Sequence, residues 1–563
     1  MYTSVVQFMR RDYLLITGLA ILFFFSFLGG QHLFDRDEIY VAERAREMLL
    51  TGEWIEPQLD FRPSWESPPM FAWAQAVSMF MFGVNEFAAR FPNAVCGLVT
   101  LLLVYRIGSR LHDRMFGWLW VLAWLGSFLP FIYFRTGTVD PWFSLLVFAG
   151  IYGFIEFRWQ FLTKGNLHSW WQRYRYLLIG GLLSGMAVMT KGFAAYLVVL
   201  PVLCLYWARY RFQGKGYLNH LLMFSAAAAF PVLLWIGLEI ALHGTEFTGQ
   251  FLSNQTRFFA VAPGVTPGFR AEHILILLLG CFPVAAFALP NLWGDRQSEE
   301  EMLDSDTLAS CKRSDFVTWM QFLFWAAFVL FCIAPASMIH YSSLCYFPLT
   351  YLGALTIWRA IRWEIRPKAV GFLLPLTGLV FGLAVTAVPF FPEKTGGILK
   401  VIFANDPAVW ASVQADVQWA YWHGWPGLLL AAGSVAGFVF WQKNRPWLAA
   451  QAVFSGGILF SSLTSLFMIC NAEEYVQGAA IEFYQSKSGQ NHNIRPVGLN
   501  TNAHLFYTRR KPCREEQNTY FVTKTSDLCG LPRIPRCREL YRKNGFVFFE
   551  CATRAPAVTG ESK

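Results

Sequence analysis

The first side chains that could do chemistry follow a long apolar run, in residues 28–54, LGGQHLFDRDEIYVAERAREMLLTGEW. Asp37 begins a helical pattern that Gly52 ends, and Glu38 and Tyr40 follow it. A carboxylate at the start of a helix is favoured by the helix dipole and can cap the helix. A carboxylate in this place can also orient a hydroxyl and accept its proton. The sequence leaves both roles open for Asp37.

The same helical pattern carries further charges, Glu43, Arg44, Arg46 and Glu47. Spacings of three and four residues place such side chains side by side on a helix, where they commonly pair in solvent. We expect these four residues to lie on the surface of the helix or to support it.

Two more carboxylates stand beside prolines. Glu66 and Ser67 precede a Pro-Pro pair that leads into an apolar, aromatic helix ending at Gly83. The prolines fix an extended entry to this helix, which is short enough to lie at the membrane surface. A glutamate there is oddly placed for mere solubility, so we expect Glu66 in the site. Asp140 in RTGTVDP is either a helix cap or a site residue.

Cations and a histidine complete the candidate set. Lys191, in TKG between two apolar runs, either extends along its helix to the membrane surface or faces a phosphate. The other candidates, each unexceptional alone, are two arginines of the loop 243–271 and two residues at the start of an apolar span: Arg257, Arg270, His340 and Tyr341.

The composition indicates a membrane protein. Hydrophobic residues make up 55% of the 563 residues, aromatic residues 17% and charged residues only 15%. A soluble chain usually has about a quarter charged residues. The formal charge of +9 fits basic cytoplasmic loops better than a nucleic-acid partner.

The apolar runs predict an all-α polytopic membrane protein with about 13 transmembrane helices. The predicted segments are 13–30, 88–108, 116–134, 139–157, 176–189, 193–208, 219–242, 272–290, 317–335, 341–358, 369–388, 426–441 and 447–469. Several are short, so the pairs around Thr190 and His340 are candidates for broken helices. We expect residues 1–469 to form the transmembrane domain, with residues 31–87 as its first extracytoplasmic loop.

The distribution of Lys and Arg places the N-terminus in the cytoplasm. An odd number of spans then places residues 470–563, here called the tail, outside. With this orientation all the candidate site residues fall on the outer side. Charges at the ends of spans, such as Asp140 and Lys191, cost a few kcal/mol if they face lipid, which favours a polar cavity there.

The tail is predicted to be a small extracytoplasmic α/β domain with strands in HLFYTRR, TYFVTKT and GFVFFECA. Its four cysteines are Cys513, Cys529, Cys537 and Cys551. They lack a C-x-x-C pair, so we expect two disulfides, in any of three connectivities, rather than zinc.

Several motifs together resemble a known family. They are DEIYVAERAREMLLTGEWIEPQL, WESPPMFAW, GVNEFAARFPNAVCGLVTLLLVYRIG, DPWF and MAVMTKGFAAYLVVLP. In this order, over roughly residues 10–360, they resemble the bacterial aminoarabinose transferases. These belong with the protein O-mannosyltransferases to the GT-C type of integral-membrane glycosyltransferase.

The resemblance implies transfer of a sugar from a polyprenyl-phosphate donor at the outer face of the membrane. It implies that Asp37 is the key aspartate of the first loop, that Glu66 and Asp140 match two further acidic positions, and that Arg257 matches the arginine of the later loop. The sequence departs from the family at Ser67, where the family commonly has Lys, and at Tyr40, where it has Arg. Val41 and Ser337 are further departures.

On this basis the catalytic residues are expected to be Asp37, as base or acceptor-orienting group, with Glu66 and Asp140 holding the sugar or acceptor. Lys191, Arg257 and Arg270 are expected to bind the donor phosphate. The expected substrate-binding residues are Glu38, Tyr40, Ser67, His340 and Tyr341. A single displacement would invert the anomeric carbon, and neither a metal nor another cofactor is expected.

The expected partners are the polyprenyl-phosphate-linked sugar, membrane lipids and a glycolipid or protein acceptor, with no nucleic acid. Lipid A, another glycolipid and secreted protein stay open as acceptors. Two other functions also stay open. One is a transporter of polyprenyl-linked lipids or polyols, which should show internal repeats. The other is a weakly active relative that binds the donor, which the departures at Ser67 and Ser337 suggest.

Overall fold

The computed structural model describes most of the chain: residues 2–34, 37–163, 169–209, 211, 216–257, 272–294, 307–333, 339–390, 419–490, 492–512, 518–525 and 537–551. Its N-terminal half contains a first helix, continued by a π-helical turn at Ile21–Phe25, and ten more helices with one small hairpin. They are α1 Tyr2–Ala20, α2 Asp37–Thr51, β1 Gln58–Leu59, β2 Arg62–Pro63, α3 Met70–Phe82, α4 Glu86–Leu111, α5 Arg114–Leu125, α6 Phe128–Tyr133, α7 Asp140–Thr163, α8 Trp170–Lys191, α9 Ala194–Arg209, α10 Tyr217–His243 and α11 Glu246–Arg257.

The second half continues the helical domain and ends in a sheet. Its elements are α12 Glu272–Gly280, α13 Val284–Ala288, α14 Thr307–Ile333, the 3₁₀ turn Ile339–Cys345, α15 Tyr346–Arg362, α16 Lys368–Ala387, α17 Trp425–Gln442, α18 Pro446–Leu463, α19 Ile469–Glu473, α20 Ala479–Ser486, β3 His492–Pro496, α21 Ala503–Thr508, β4 Asn518–Lys524, β5 Cys537–Lys543 and β6 Phe546–Cys551.

Helix boundaries follow local sequence signals. Asn85 and Asp113 cap α4 and α5, because their side chains accept hydrogen bonds from the N–H groups of Ala88 and Phe116. The helix α2 ends at Gly52, as predicted, with a φ of 75° that favours glycine.

The chain is a multi-pass membrane protein. Each of the thirteen predicted segments overlaps at least one helix, and the described residues contain eight helices long and apolar enough to span a membrane. They contain nine if α12 and α13, which meet at an angle of 106°, form one broken span. The chain also breaks near Thr190, at Gly192, and forms a 3₁₀ turn at His340. The total number of spans stays a prediction.

Small residues bring the central helices close together. A Cβ added to Gly153 of α7 would lie 2.8 Å from the Cα of Gly180 in α8, and one on Gly150 would lie 2.9 Å from the Gly180 carbonyl oxygen. Close backbone approach at small residues is a main source of helix packing in membranes. This packing sets α7 against α8, so that the start of one helix meets the end of the other.

The tail is a four-stranded sheet attached to a long helix. The strand order is β3-β4-β6-β5, with β3 and β4 parallel and the other pairs antiparallel. The α18 helix continues into the tail through α19 and α20, joined by π-helical turns at Thr464–Met468 and Glu474–Gly478.

Two of the three predicted tail strands are confirmed, as β4 and β6. The prediction for HLFYTRR is wrong, because this segment forms the helix α21 and the turn after it. One disulfide joins Cys537 and Cys551, which face each other on β5 and β6. The other two tail cysteines, Cys513 and Cys529, lie outside the described residues.

The tail packs on the first loop. The backbone N–H of Leu33 donates to the Tyr507 hydroxyl at 2.8 Å, and the Gln477 amide donates to the Leu33 carbonyl at 2.6 Å. Buried apolar residues of α20, α21 and the sheet form one cluster with those of α2 and α3. The tail and the first loop therefore lie on the same side of the membrane.

Arg90, buried in α4, ties the first loop to the helical domain. Its guanidinium donates to both carboxylate oxygens of Glu38, at 2.7 and 3.0 Å. It also donates to the carbonyls of Leu28, Gln31 and His32, at 3.1, 2.9 and 2.7 Å. All five guanidinium N–H groups are therefore used, and they fix the chain between α1 and α2.

We expect Arg90→Gln to lower the free energy of unfolding by about 3–5 kcal/mol, because it leaves the buried Glu38 carboxylate without its cation. Denaturant titration of the detergent-solubilised protein measures the loss. Arg106→Gln, at an exposed position of the same helix, is the control and should change stability by less than about 0.5 kcal/mol. Equal stabilities of the two variants would contradict this role for Arg90.

Candidate active site

The helix α2 begins the candidate site. Asp37 is its first residue and is half-buried, with Glu38 next to it and 1% exposed. Besides Arg90, Glu38 accepts hydrogen bonds from the backbone N–H groups of Phe34 and Gly137. Glu38 thereby joins the start of α2 to the loop before Asp140. These are the contacts of a positioning residue, and its predicted contact with substrate stays a prediction.

Of the two alternatives for the charges on α2, surface or support, the surface position is wrong. Glu43, Arg44, Arg46 and Glu47 are all at most 3% exposed, because the tail, α3 and the β1–β2 hairpin enclose this helix. Arg46 makes two hydrogen bonds with Glu43, at 2.6 and 2.7 Å. Sequence spacing of this kind does not distinguish a buried ion pair from an exposed one.

Glu47 supports the hairpin that follows α2. Its two carboxylate oxygens accept the backbone N–H groups of Asp60 and Phe61, at 2.8 and 2.9 Å. Burial, together with the neighbouring Glu43 carboxylate, raises the pKa of Glu47 to about 8. This carboxyl therefore holds a proton near neutral pH.

Arg44 joins Tyr40 to Ser67, two positions where the sequence departs from its resembled family. Its guanidinium donates to the Ser67 carbonyl at 2.7 Å and to the Ser67 hydroxyl, and lies 5.2 Å from the centre of the Tyr40 ring. The Tyr40 hydroxyl pairs with that of Ser64 at 2.9 Å. Burial raises the pKa of Tyr40, Arg44 opposes this rise, and the exposed Glu66 adds to it.

Asp140 and Lys191 form an ion pair. Asp140 is the first residue of α7 and 2% exposed, and Lys191 is the last residue of α8 and donates to its Oδ1. The Lys191 ammonium also lies 5.7 Å from the centre of the Phe143 ring. Two candidates that are 51 residues apart in sequence are thus in direct contact.

The end of α11 lies beside this pair. The side-chain oxygen of Gln255 accepts the N–H of Phe193 at 3.3 Å, directly after the turn at Gly192, where φ is 72°. Arg257 is the last residue of α11, but its side chain lies outside the described residues, as does all of Arg270. Their predicted phosphate contacts stay predictions.

The 3₁₀ turn Ile339–Cys345 reaches the same place. Its Ser343 hydroxyl lies 3.1 Å from that of Ser144, one turn after Asp140 on α7. His340 and Tyr341 are in this turn, and their side chains lie outside the described residues.

The structure thus connects four of the predicted residues. Asp37 adjoins Glu38, which bonds the loop before Asp140, and Asp140 pairs with Lys191. The roles assigned to Asp37, Glu66 and Asp140 stay predictions. Among the described residues, the ligand atoms close enough to share a metal ion lie elsewhere, on Glu56, Glu239 and His243.

Sequence reasoning missed two arginines of the scaffold, Arg90 and Arg135, and did not predict the contacts of Arg44. Arg135 donates to the carbonyls of Phe23 and Ser26, and to the Ser465 hydroxyl at 3.1 Å. A signal was present for Arg90, because an arginine inside an apolar span needs buried partners.

Comparison with known proteins agrees with this architecture. Residues 66–235 match the dolichyl-phosphate-mannose-protein mannosyltransferase family. A relative from Photorhabdus laumondii, undecaprenyl phosphate-alpha-4-amino-4-deoxy-L-arabinose arabinosyl transferase, is 31% identical over 50% of this chain, and the match spans 51% of that relative's length. The enzyme of the same name from Edwardsiella ictaluri is 29% identical over 78% of each chain.

A solved structure shows the same fold. It is that of ArnT from Cupriavidus metallidurans bound to undecaprenyl phosphate, with a TM-score of 0.71 and 16% identity over 98% of this chain and 99% of that chain. The fold is therefore that of a GT-C-type integral-membrane protein. Within this class the chain is similar to the aminoarabinose transferases.

We expect the free energy of unfolding to fall as pH rises from about 4.3, the ordinary pKa of a glutamate, to about 8, the pKa of Glu47. In this window the folded protein keeps a proton that the unfolded chain has lost, so raising the pH favours unfolding. Glu47→Gln should remove this part of the slope, because the amide stays neutral.

Denaturant titrations between pH 5 and pH 9 measure this slope. The matched control is Glu246→Gln, at an exposed position at the start of α11, which should keep the wild-type slope. An unchanged slope in Glu47→Gln would show that the Glu47 carboxyl is ionised throughout this range.

Proposed function

We propose that this chain transfers a sugar from a polyprenyl-phosphate donor to an acceptor at the outer face of the bacterial inner membrane. The observation that carries the proposal is the sequence match, over most of the chain, to arabinosyl transferases whose names specify an undecaprenyl phosphate-linked sugar. An undecaprenyl phosphate-linked pentose is the proposed donor. A lipid A-like glycolipid is the proposed acceptor, with a protein hydroxyl as the other acceptor class.

The proposed reaction is one displacement at the anomeric carbon. The acceptor oxygen forms a bond to that carbon while the bond from the carbon to the phosphate oxygen breaks, which inverts the configuration. The acceptor proton passes to the Asp37 carboxylate, and polyprenyl phosphate leaves with the bonding electrons. Glu66 and Asp140 are assigned to sugar or acceptor hydroxyls, and His340 and Tyr341 to substrate binding.

Cations should stabilise the charge that develops on the departing phosphate. Lys191, Arg257 and Arg270 are assigned to this role, and Asp140 holds the Lys191 ammonium in place. We add Arg44 to the candidates for this role. It contacts Ser67 and Tyr40, the two positions where the resembled family carries Lys and Arg, so one arginine places its charge between both.

The orientation proposed from the sequence, with the N-terminus in the cytoplasm and the tail in the periplasm, puts this site on the periplasmic side of the membrane. Packing of the tail on the first loop supports this orientation, because the two segments must then lie on the same side of the membrane. We propose residues 1–469 as the transferase domain and 470–563 as the soluble one, linked by the helix that continues from α18.

We expect Asp37→Asn to lower kcat for sugar transfer by about 10² to 10⁴-fold, because an amide cannot accept the acceptor proton. Mass spectrometry of lipid A incubated with the purified enzyme and an undecaprenyl phosphate-linked aminoarabinose measures the product. The control is Asp60→Asn in the same loop, where the carboxylate faces Arg510 at 3.4 Å; it should keep its turnover. Normal turnover by Asp37→Asn would refute the role of Asp37 as base.

The role of Arg44 can be tested with a double substitution. Arg44→Ala should raise the KM for the donor about 10- to 100-fold, the cost of one charge-assisted hydrogen bond. Ser67→Lys alone should also impair transfer, because it sets a second cation against Arg44. The combination Arg44→Ala with Ser67→Lys should recover donor affinity, since a single cation is restored.

The measurement is initial rate against donor concentration for the four proteins. If Ser67→Lys alone raises the rate, Arg44 does not replace the missing lysine and the chain is a weakened donor-binding relative. If the double variant is as poor as Arg44→Ala, the charge of Arg44 is not what the donor uses.

A further inference from the structure

Four titratable side chains meet where the first loop contacts the end of α10. Glu53 and Glu56 lie between α2 and β1, and Glu239 and His243 lie in the last turn of α10. Because Glu239 and His243 are four residues apart on a helix, their side chains share one side of it. This group is separate from Asp37, Asp140 and Lys191 and has no part in the proposed transfer.

The distances within the group suit a metal ion. The His243 ring contacts Glu239 through Nδ1 at 3.2 Å and Glu53 through Nε2 at 3.3 Å. One ligand atom each of Glu56, Glu239 and His243 can be chosen so that all lie within 4.8 Å of one another. Two ligands bound at about 2.0–2.1 Å in a tetrahedral zinc site lie about 3.3 Å apart. The pair formed by His243 Nδ1 and Glu239 already has this separation, whereas Glu53 contacts the other ring nitrogen and can orient the imidazole.

The charges of the group also favour a cation. Three carboxylates gather at the C-terminal end of α10, where the helix dipole is negative and disfavours further negative charge. Among the described residues, Glu53 and Glu239 form ion pairs with a single partner, His243, and no ion pair involves Glu56. One imidazole, with at most one positive charge, therefore faces three carboxylates at this end of the helix.

An unpaired buried oxygen points to a ligand independently of the cluster. Glu239 is 1% exposed, and its Oε1 has no hydrogen-bond partner among the described residues. Leaving a buried carboxylate oxygen unpaired is costly, because the oxygen has lost its water and gained no partner. A bound cation would remove this cost.

We propose that Glu56, Glu239 and His243, with Glu53 beside them, bind one divalent transition-metal ion of the zinc type. An imidazole with carboxylates is the ligand set that Zn²⁺ accepts, whereas Mg²⁺ and Ca²⁺ select sites made of oxygen alone. Water can complete the coordination, since His243 is partly exposed.

The ion would act as a clamp between the first loop and the α10–α11 corner. Next to the group, the Trp235 indole donates to the Ile55 carbonyl at 3.0 Å and its ring packs against Phe251 of α11. One turn beyond Phe251, Gln255 contacts the backbone after Lys191. The clamp would therefore set the position of α11 relative to the first loop and to the backbone after Lys191.

The test is a zinc titration of the full-length chain, purified in detergent and stripped with a chelator. Competition with a chromogenic chelator and elemental analysis should give one Zn²⁺ per wild-type chain. Glu239→Gln and His243→Gln should each bind Zn²⁺ at least about tenfold more weakly, as losses of supporting groups alone weaken metal sites 10- to 100-fold. The control Glu246→Gln, three residues past His243, should bind like the wild type.

The midpoint of thermal unfolding gives a second measurement. Added Zn²⁺ should raise it for the wild type and the control but not for His243→Gln, and Ca²⁺ or Mg²⁺ should leave all three unchanged. If Glu239→Gln does not fold, Glu56→Gln, at a half-exposed position, takes its place. Equal zinc binding by the wild type and these variants, or no zinc binding by the wild type, would show that the group is only a histidine–carboxylate ion pair. Zinc binding and the unfolding midpoint are both measured without sugar transfer, so they test the metal site separately from the proposed function.

Discussion

The ion pair between Arg90 and Glu38 is the interaction on which the rest of the site depends. A guanidinium and a carboxylate that are both buried must each be fully hydrogen-bonded, because an unpaired buried charge costs several kcal/mol. Arg90 meets this requirement by binding the chain between α1 and α2, and Glu38 meets it by binding the N–H of Gly137. One pair therefore holds residues 28–32, the start of α2 with Asp37, and the loop that leads to Asp140.

The same requirement explains why α2 contains so many charges. A helix that is enclosed on most sides can keep ionisable groups only if they are paired or neutral. Arg46 is paired with Glu43, and Arg44 donates to the Ser67 carbonyl. Glu47 accepts two backbone N–H groups, and its pKa is raised to about 8. These groups shape the hairpin and the Pro-Pro segment around the start of the helix, which leaves Asp37 half-buried at its edge.

The helices could be predicted from the sequence because a long apolar run leaves few alternatives in a membrane. The burial of α2 could not be predicted, because charges three and four residues apart give the same sequence pattern on an exposed helix and on an enclosed one. HLFYTRR was mistaken for a strand because a short apolar run fits the periodicity of a strand and that of a helix equally well. The strands β3 and β5 carry mostly polar or exposed residues and gave no alternating signal. The pairing of Asp140 with Lys191 depends on how α7 and α8 pack, which no local pattern encodes.

The tail belongs to the scaffold of the site rather than standing apart from it. Residues 31–34 have no regular secondary structure, so their backbone groups need partners from elsewhere. Arg90 takes the carbonyls of Gln31 and His32, Glu38 takes the N–H of Phe34, and the tail takes both the N–H and the carbonyl of Leu33. A change in the tail at Tyr507 or Gln477 would thus act on the segment that leads directly to Asp37. The position of Asp37 is therefore set from the membrane side by one arginine and from the opposite side by the tail.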